Sequence, residues 1–160
     1  MRSESEAALQ SFVATRYPHL RRSAFLMCGD WSIADELTQV TLALLVSDSR
    51  RGNVTNPDTY AWADLMQSLQ RRPGRREHVF VAAPDSAGGD PEAVLLLDAL
   101  HRLTPRCRAV LVLRHWEGFG IEDTADVLGL ADERVQAYEA AGLGALDLLL
   151  AHDAALVVTP

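Results

Sequence analysis

The sequence predicts an all-α fold: two helical modules joined by a flexible linker. Three observations carry this reading. Apolar residues recur at helical spacing along most of the chain, whereas alternating apolar and polar stretches are few, and Val79-Phe80-Val81 is too short to found a sheet. Asn56-Pro57, Asp90-Pro91 and Thr104-Pro105 each place a capping side chain before a first-turn proline. Finally, Ala82 to Glu92 (AAPDSAGGDPE) holds two Pro, two Gly, a Ser and three acids, a composition that sustains no regular element. Residues 1–81 therefore read as the first module, 82–92 as the linker, 93–152 as the second module and 153–160 as a tail.

In chain order, Glu4 to Arg16 is a helix carrying Ala7, Ala8, Leu9, Phe12 and Val13 at helical spacing. Pro18 suits the first turn of a second helix, through Leu20, Phe25 and Leu26 to Cys28, which Gly29 ends. Asp30 or Ser32 caps a third, Ile33 to about Val46, with Ile33, Leu37, Val40 and Leu44 inward. Asn56-Pro57 starts a helix from Asp58 to about Arg72, and Pro73-Gly74 ends it. After the linker, Asp90-Pro91 opens a helix through Val94, Leu95, Leu97 and Leu100 to about Leu103. Thr104-Pro105 opens the next, through Val110, Leu111 and Leu113 to about His115. Gly118 and Gly120 break the chain. Ile121 to Leu128 is a short helix, Gly129 to Asp132 a tight turn, and Glu133 to about His152 the final helix, giving four helices on each side of the linker.

Composition narrows the function classes. The 160 residues are 48% apolar and 23% charged, ordinary for a soluble globular protein. No apolar run approaches the roughly 18 residues of a membrane span, and MRSESEAALQ lacks the apolar core of a signal peptide. Cys28 and Cys107 have no CxxC spacing, which points to a reduced, cytoplasmic protein without a structural zinc. His19, His78, His101, His115 and His152 have no metal-ligand spacing, and no GxSxG or phosphate-binding loop occurs. The expectation is no enzyme, no metal and no cofactor. Cys107, between Arg106 and Arg108 at a helix start, reads as a half-buried structural thiol. The apolar text from Leu148 onward packs on the body or offers a partner surface.

All basic residues are Arg, first of all a mark of GC-rich coding. Their distribution is uneven: residues 1–80 hold ten Arg against nine acids, whereas residues 81–160 hold five against thirteen. A DNA grip by the second half must overcome that field.

The second half nevertheless has the spacing Ile121-x3-Ala125-x2-Leu128-Gly129-x5-Val135. Small Ala125 lets two helices approach, Gly129 permits the turn, and Ile121, Leu128 and Val135 close a small core. This is how a helix-turn-helix packs with its second helix free to enter a major groove, although an ordinary αα-hairpin shares the pattern.

Leu103-Thr104-Pro105-Arg106-Cys107-Arg108, the apolar run after it, Arg114-His115-Trp116-Glu117-Gly118-Phe119 and then the helix-turn-helix resemble region 4 of sigma-70 type factors. The likeness is to the small extracytoplasmic-function class of GC-rich actinobacteria. Ala34-Asp35-Glu36-Leu37-Thr38-Gln39 is similar to region 2.2, and Asn56-Pro57-Asp58-Thr59-Tyr60, running into the Arg-rich stretch Arg71 to Arg76, to regions 2.3 and 2.4. The resemblance, in order over about residues 5 to 150, implies that Asp35, Glu36 and Gln39 face core RNA polymerase. It implies that Trp62, Arg71, Arg72, Arg75 and Arg76 engage the minus-ten promoter element, and that Arg134, Gln136 and Tyr138 lie on the recognition helix.

The departures from the family pattern concern charge. Gln136 and Tyr138 stand where Lys and Arg are usual, Ala141, Ala145 and Asp147 occupy commonly basic positions, and Val40 replaces an acid often seen after the Gln. From Trp116 to the end there are nine acids and one Arg, yet cationic phosphate contacts supply most non-specific DNA affinity. Two readings follow. One is an extracytoplasmic-function sigma factor that binds core polymerase and promoter DNA. The other is a sigma mimic without promoter binding, acting through contacts with the polymerase or an anti-sigma factor.

Overall fold

The structure, a computed structural model, describes residues 2–72 and 91–158, and the side chains of all of these except 91 and 153–158. It is all-helical among them: α1 (Arg2–Cys28), α2 (Trp31–Arg50), α3 (Pro57–Arg71), α4 (Pro91–Arg102), α5 (Pro105–Leu111), α6 (Ile121–Leu128) and α7 (Asp132–Val158). A π-helical turn, Val112–Trp116, continues α5. Pro73-Gly74, Asp90 and residues 82–90 of the expected linker lie outside the described residues. Pro91 and Glu92 form the first turn of α4, and α7 runs on into the expected tail.

The caps are where the sequence puts them. The Asp30 carboxylate accepts from the Ser32 and Ile33 amides, Asn56 Oδ1 from Thr59 N and Thr104 Oγ1 from Cys107 N. These satisfy amides that a helix start leaves without partners.

Three expectations are corrected. α1 is one helix with Pro18 inside it, not two. An interior proline removes an amide donor, but every fully buried residue of α1, from Leu20 to Met27, follows Pro18. Packing of that segment on α2 and α3 therefore holds the helix through the defect. In α2, Val40 and Leu44 point outward, 50% and 43% exposed, while Ala34, Thr38, Thr41, Leu42 and Leu45 are buried. The inward stripe is the one with small side chains, which allows close approach to α1 and α3. The expected helix to His115 widens into the π-turn, where Glu117 N donates to Val112 O at 3.1 Å. Five consecutive residues, Ala109 to Leu113, are fully buried there. This stretch is buried all round because the end of α5 and the π-turn run between α1, α3 and α7, whereas the start of α5, with Pro105 and Arg106, is exposed.

One apolar cluster spans both halves of the chain. Leu20, Leu45, Leu65 and Met66 share it with Leu100, Leu111 and Leu113. A second, smaller cluster of Val110, Ala125 and Val135, flanked by Ile121 and Leu128, closes the helix-turn-helix on the residues its spacing singles out. Gly129 makes the turn at φ 65°, a left-handed backbone that suits glycine.

Candidate nucleic-acid interface

The outward face of α2 carries Glu36 and Gln39, both exposed, beside exposed Val40 and Leu44. Asp35 is turned inward by comparison. Its carboxylate accepts from the Tyr17 hydroxyl at 2.9 Å and from Arg21, and Arg21 lies 4.3 Å over the Trp31 ring. Asp35 thus ties α2 to α1, whereas Glu36 and Gln39 are free to meet a partner.

α3 presents its candidates unequally. Arg71 and Arg72 are exposed at its end; Arg75 and Arg76 lie outside the described residues. Trp62 is 3% exposed and meets Phe119 edge-to-face, with ring centroids 5.4 Å apart. Asp64 accepts from the Thr41 hydroxyl at 2.6 Å, so its charge is directed into the α2–α3 contact. Tyr60 donates to Asp48 at 2.7 Å, and that bond, with burial and the nearby carboxylates, pushes its pKa up to about 12.

On the recognition helix, Arg134 and Gln136 are exposed and Tyr138 is half-buried. Arg134 donates to the Tyr138 hydroxyl at 3.1 Å and stacks 5.5 Å from its ring centroid. Glu139 does not project into the same space: Arg114 and His115 hold its carboxylate at 3.3 and 2.9 Å. Glu122, Asp123, Asp126, Asp132, Glu133 and Asp147 remain exposed against Arg134 alone on α6 and α7.

Three residues without a role in the sequence reading join the two halves. The Ser23 hydroxyl donates to Glu117 at 2.6 Å, and Arg22 and His19 stand 3.6 and 3.8 Å from the same carboxylate, whose side chain is only 7% exposed. Phe119 caps Trp62. Arg108 donates to Met27 O at the end of α1 (2.8 Å) and to Leu100 O, His101 O and Leu103 O at the end of α4 (3.0, 2.9 and 3.0 Å). Two helix C-termini, each the negative end of its dipole, converge on one guanidinium. The signal for Phe119 is its place between two glycines, with Gly118 at φ 71°. Nothing in the sequence marks the Glu117 side chain as buried or Arg108 as half-buried.

The Sigma-70, region 4 family model matches residues 93–143. An RNA polymerase sigma-E factor of Streptomyces avermitilis is 31% identical over 134 residues, covering 76% of this chain and 73% of that protein. The chain belongs to the sigma-70 family of RNA polymerase sigma factors. The sigma-E factor of Streptomyces coelicolor is similarly related, at 31% over 139 residues and 76% and 74% coverage. A solved structure with the same fold is the co-crystal of the sigma factor RpoE with the anti-sigma factor NepR from Bartonella quintana. The match has a TM-score of 0.73 and 20% identity, over 88% of this chain and 95% of that one. The co-crystal of the anti-anti-sigma factor PhyR with NepR, from the same organism, matches at TM-score 0.58 and 20% identity over 84% of this chain and 48% of that one. This chain is thus a sigma factor of the extracytoplasmic-function type that acts with core RNA polymerase in promoter recognition and transcription initiation. Among the described residues, no helix is long and apolar enough to cross a membrane.

Proposed function

We propose that this sigma factor docks on core RNA polymerase through the outer face of α2, with Glu36 and Gln39 in contact and Asp35 positioning the helix. Val40 and Leu44 add apolar area at the centre of that face. The carrying observation is the exposure of those two side chains beside Glu36 and Gln39, an unpartnered mixed face on an otherwise well-packed helix. Residues 1–81 and 93–152 act as the region 2 and region 4 modules, joined by 82–92, and the protein works in the cytoplasm without catalysis of its own. The minus-ten element is engaged by α3, through Trp62 and the Arg71, Arg72, Arg75 and Arg76 cluster. Arg134, Gln136 and Tyr138 supply the weaker contacts of the recognition helix. Glu36→Arg combined with Gln39→Ala, both on exposed positions, is expected to lower affinity for core polymerase by about tenfold, or roughly 1.4 kcal/mol, with thermal unfolding unchanged. Undiminished core binding in titration of the purified variant would contradict the assignment.

The exposed acids of α6 and α7 favour a second reading of region 4, in which its surface meets a protein such as an anti-sigma factor rather than DNA. A duplex-binding titration at low salt separates the two. Retained region 4 DNA binding requires that Arg134→Ala weaken duplex affinity and flatten its salt dependence.

A further inference from the structure

We infer that the cleft between α3 and the start of the second half is a binding site for a small nucleotide, with its phosphates on Arg71 and Arg106 and the amine edge of its base on Asp126. The cleft encloses about 490 Å³, within the range of small-molecule sites. Gln67, Gln70 and Arg71 line it from one side, at the i, i+3 and i+4 positions of a single α3 face. Arg106, from the first turn of α5, and Asp126, from the last turn of α6, line it from the other, with half-buried Leu128 between them and the core.

Charge singles this cleft out. Arg71 and Arg106 are both exposed, and among the described residues neither has an ion pair or a side-chain hydrogen bond. The other arginines of residues 91–158 are taken: Arg102 by Asp98, Arg108 by backbone carbonyls, Arg114 by Glu139 and Arg134 by the Tyr138 hydroxyl. In a chain of net charge −7, two uncommitted guanidiniums are thus brought to one cavity from segments far apart in sequence. Planar forks of this kind match phosphate oxygens. Asp126 decides what the rest of the ligand is. Its carboxylate repels a bare oxyanion but accepts from a ligand that is anionic at one end and a hydrogen-bond donor at the other. Guanine offers a carboxylate two adjacent N–H donors, whereas uracil offers one N–H between two repelling carbonyl oxygens. Gln70 donates to Met66 O at 3.2 Å, which leaves its amide oxygen to accept. The exposed acids of α6, Glu122, Asp123 and Asp126, oppose a long polyanion along this wall, and so favour a free nucleotide over a strand of DNA. The inference is independent of the promoter contact proposed for Arg71, because Arg106 has no part in that contact.

The test is titration of the full chain with a fluorescent GTP analogue, at low salt and without divalent cations, followed by displacement with GTP, UTP and pyrophosphate. GTP is expected to displace the probe about tenfold better than UTP, the discrimination of one bidentate base contact. Arg106→Ala, at an exposed position, should weaken GTP about tenfold, and Arg71→Ala likewise, each by the loss of a charged hydrogen bond. Arg51→Ala, outside the cleft, should leave GTP affinity unchanged. Asp126→Asn should cut the preference for GTP over UTP and strengthen pyrophosphate, because the carboxylate that holds the base also repels the bare anion. Circular dichroism checks that each variant is folded. Absence of saturable probe binding overturns the site, and unchanged GTP affinity in folded Arg106→Ala overturns its location. Equal displacement by GTP and UTP, or tighter binding of pyrophosphate than of GTP, overturns the assignment of a nucleotide.

Discussion

Arg108 illustrates how much one side chain can fix. Its guanidinium spends its donors on four carbonyl oxygens and meets no carboxylate in the described hydrogen bonds, and burial pulls its pKa below the ordinary arginine value. Arg108→Ala is expected to cost about 2 to 4 kcal/mol in urea unfolding, because charged hydrogen bonds are lost and carbonyls at two helix ends are left short of donors. Arg108→Lys should restore only part of this, since an ammonium lacks the planar fork. Arg106, two residues earlier and exposed, should tolerate Ala with less than about 0.5 kcal/mol of change. Sequence shows the Arg-x-Arg pair but not which member turns inward, because helical phase around α5 is ambiguous when five consecutive residues face the core. Trp62 is a related case. Its identity is plain in the sequence, but its burial depends on Phe119, 57 positions away, and no local pattern reports that contact.

At the scale of elements, the legible features were those with a local cause. Asp30, Asn56 and Thr104 cap as their spacing implies, and the helix-turn-helix closes on Ala125 and Val135. Gly129→Ala is expected to destabilise the protein by about 1 to 2 kcal/mol, because a Cβ is strained at φ 65°; a denaturant titration reads the shift. The α2–α3 corner offers a pH signature. The folded pKa of Tyr60, at about 12, lies above its ordinary value of 10.0. The stability it contributes is therefore fully present below pH 10 and fades as pH rises through about 12. Tyr60→Phe should remove that dependence, measured as unfolding free energy between neutral and strongly alkaline pH. Elements differ from the sequence expectation where the cause is tertiary. Pro18 looks like a helix start until the packing of Leu20 to Met27 is known. The outward Val40 and Leu44 look like a core stripe because helical period does not say which of two faces is buried.

At the scale of the whole molecule, charge and closure act together. The chain carries a net charge of −7, and its region 4 half exposes acids around a single recognition-helix arginine. Yet Glu117 and Glu139 are paired internally with cations, Arg22 and Arg114 respectively, so that the field is less negative than the count of acids in this half suggests. Gln136→Lys with Tyr138→Arg is accordingly expected to raise duplex DNA affinity only a few-fold, with a salt slope steeper by about two phosphate contacts. The two-module plan and the family were legible because their motifs are short and ordered along the chain. The shared core was not, because it joins segments separated by residues whose composition reads only as a linker. The most direct measurement is run-off transcription on a genomic promoter pool at low salt, with core polymerase and this chain as the only sigma factor. Discrete transcripts, with about tenfold more of the Glu36→Arg, Gln39→Ala variant needed for half-maximal yield, are the expected result. Core polymerase that neither binds the chain nor initiates with it would contradict the account.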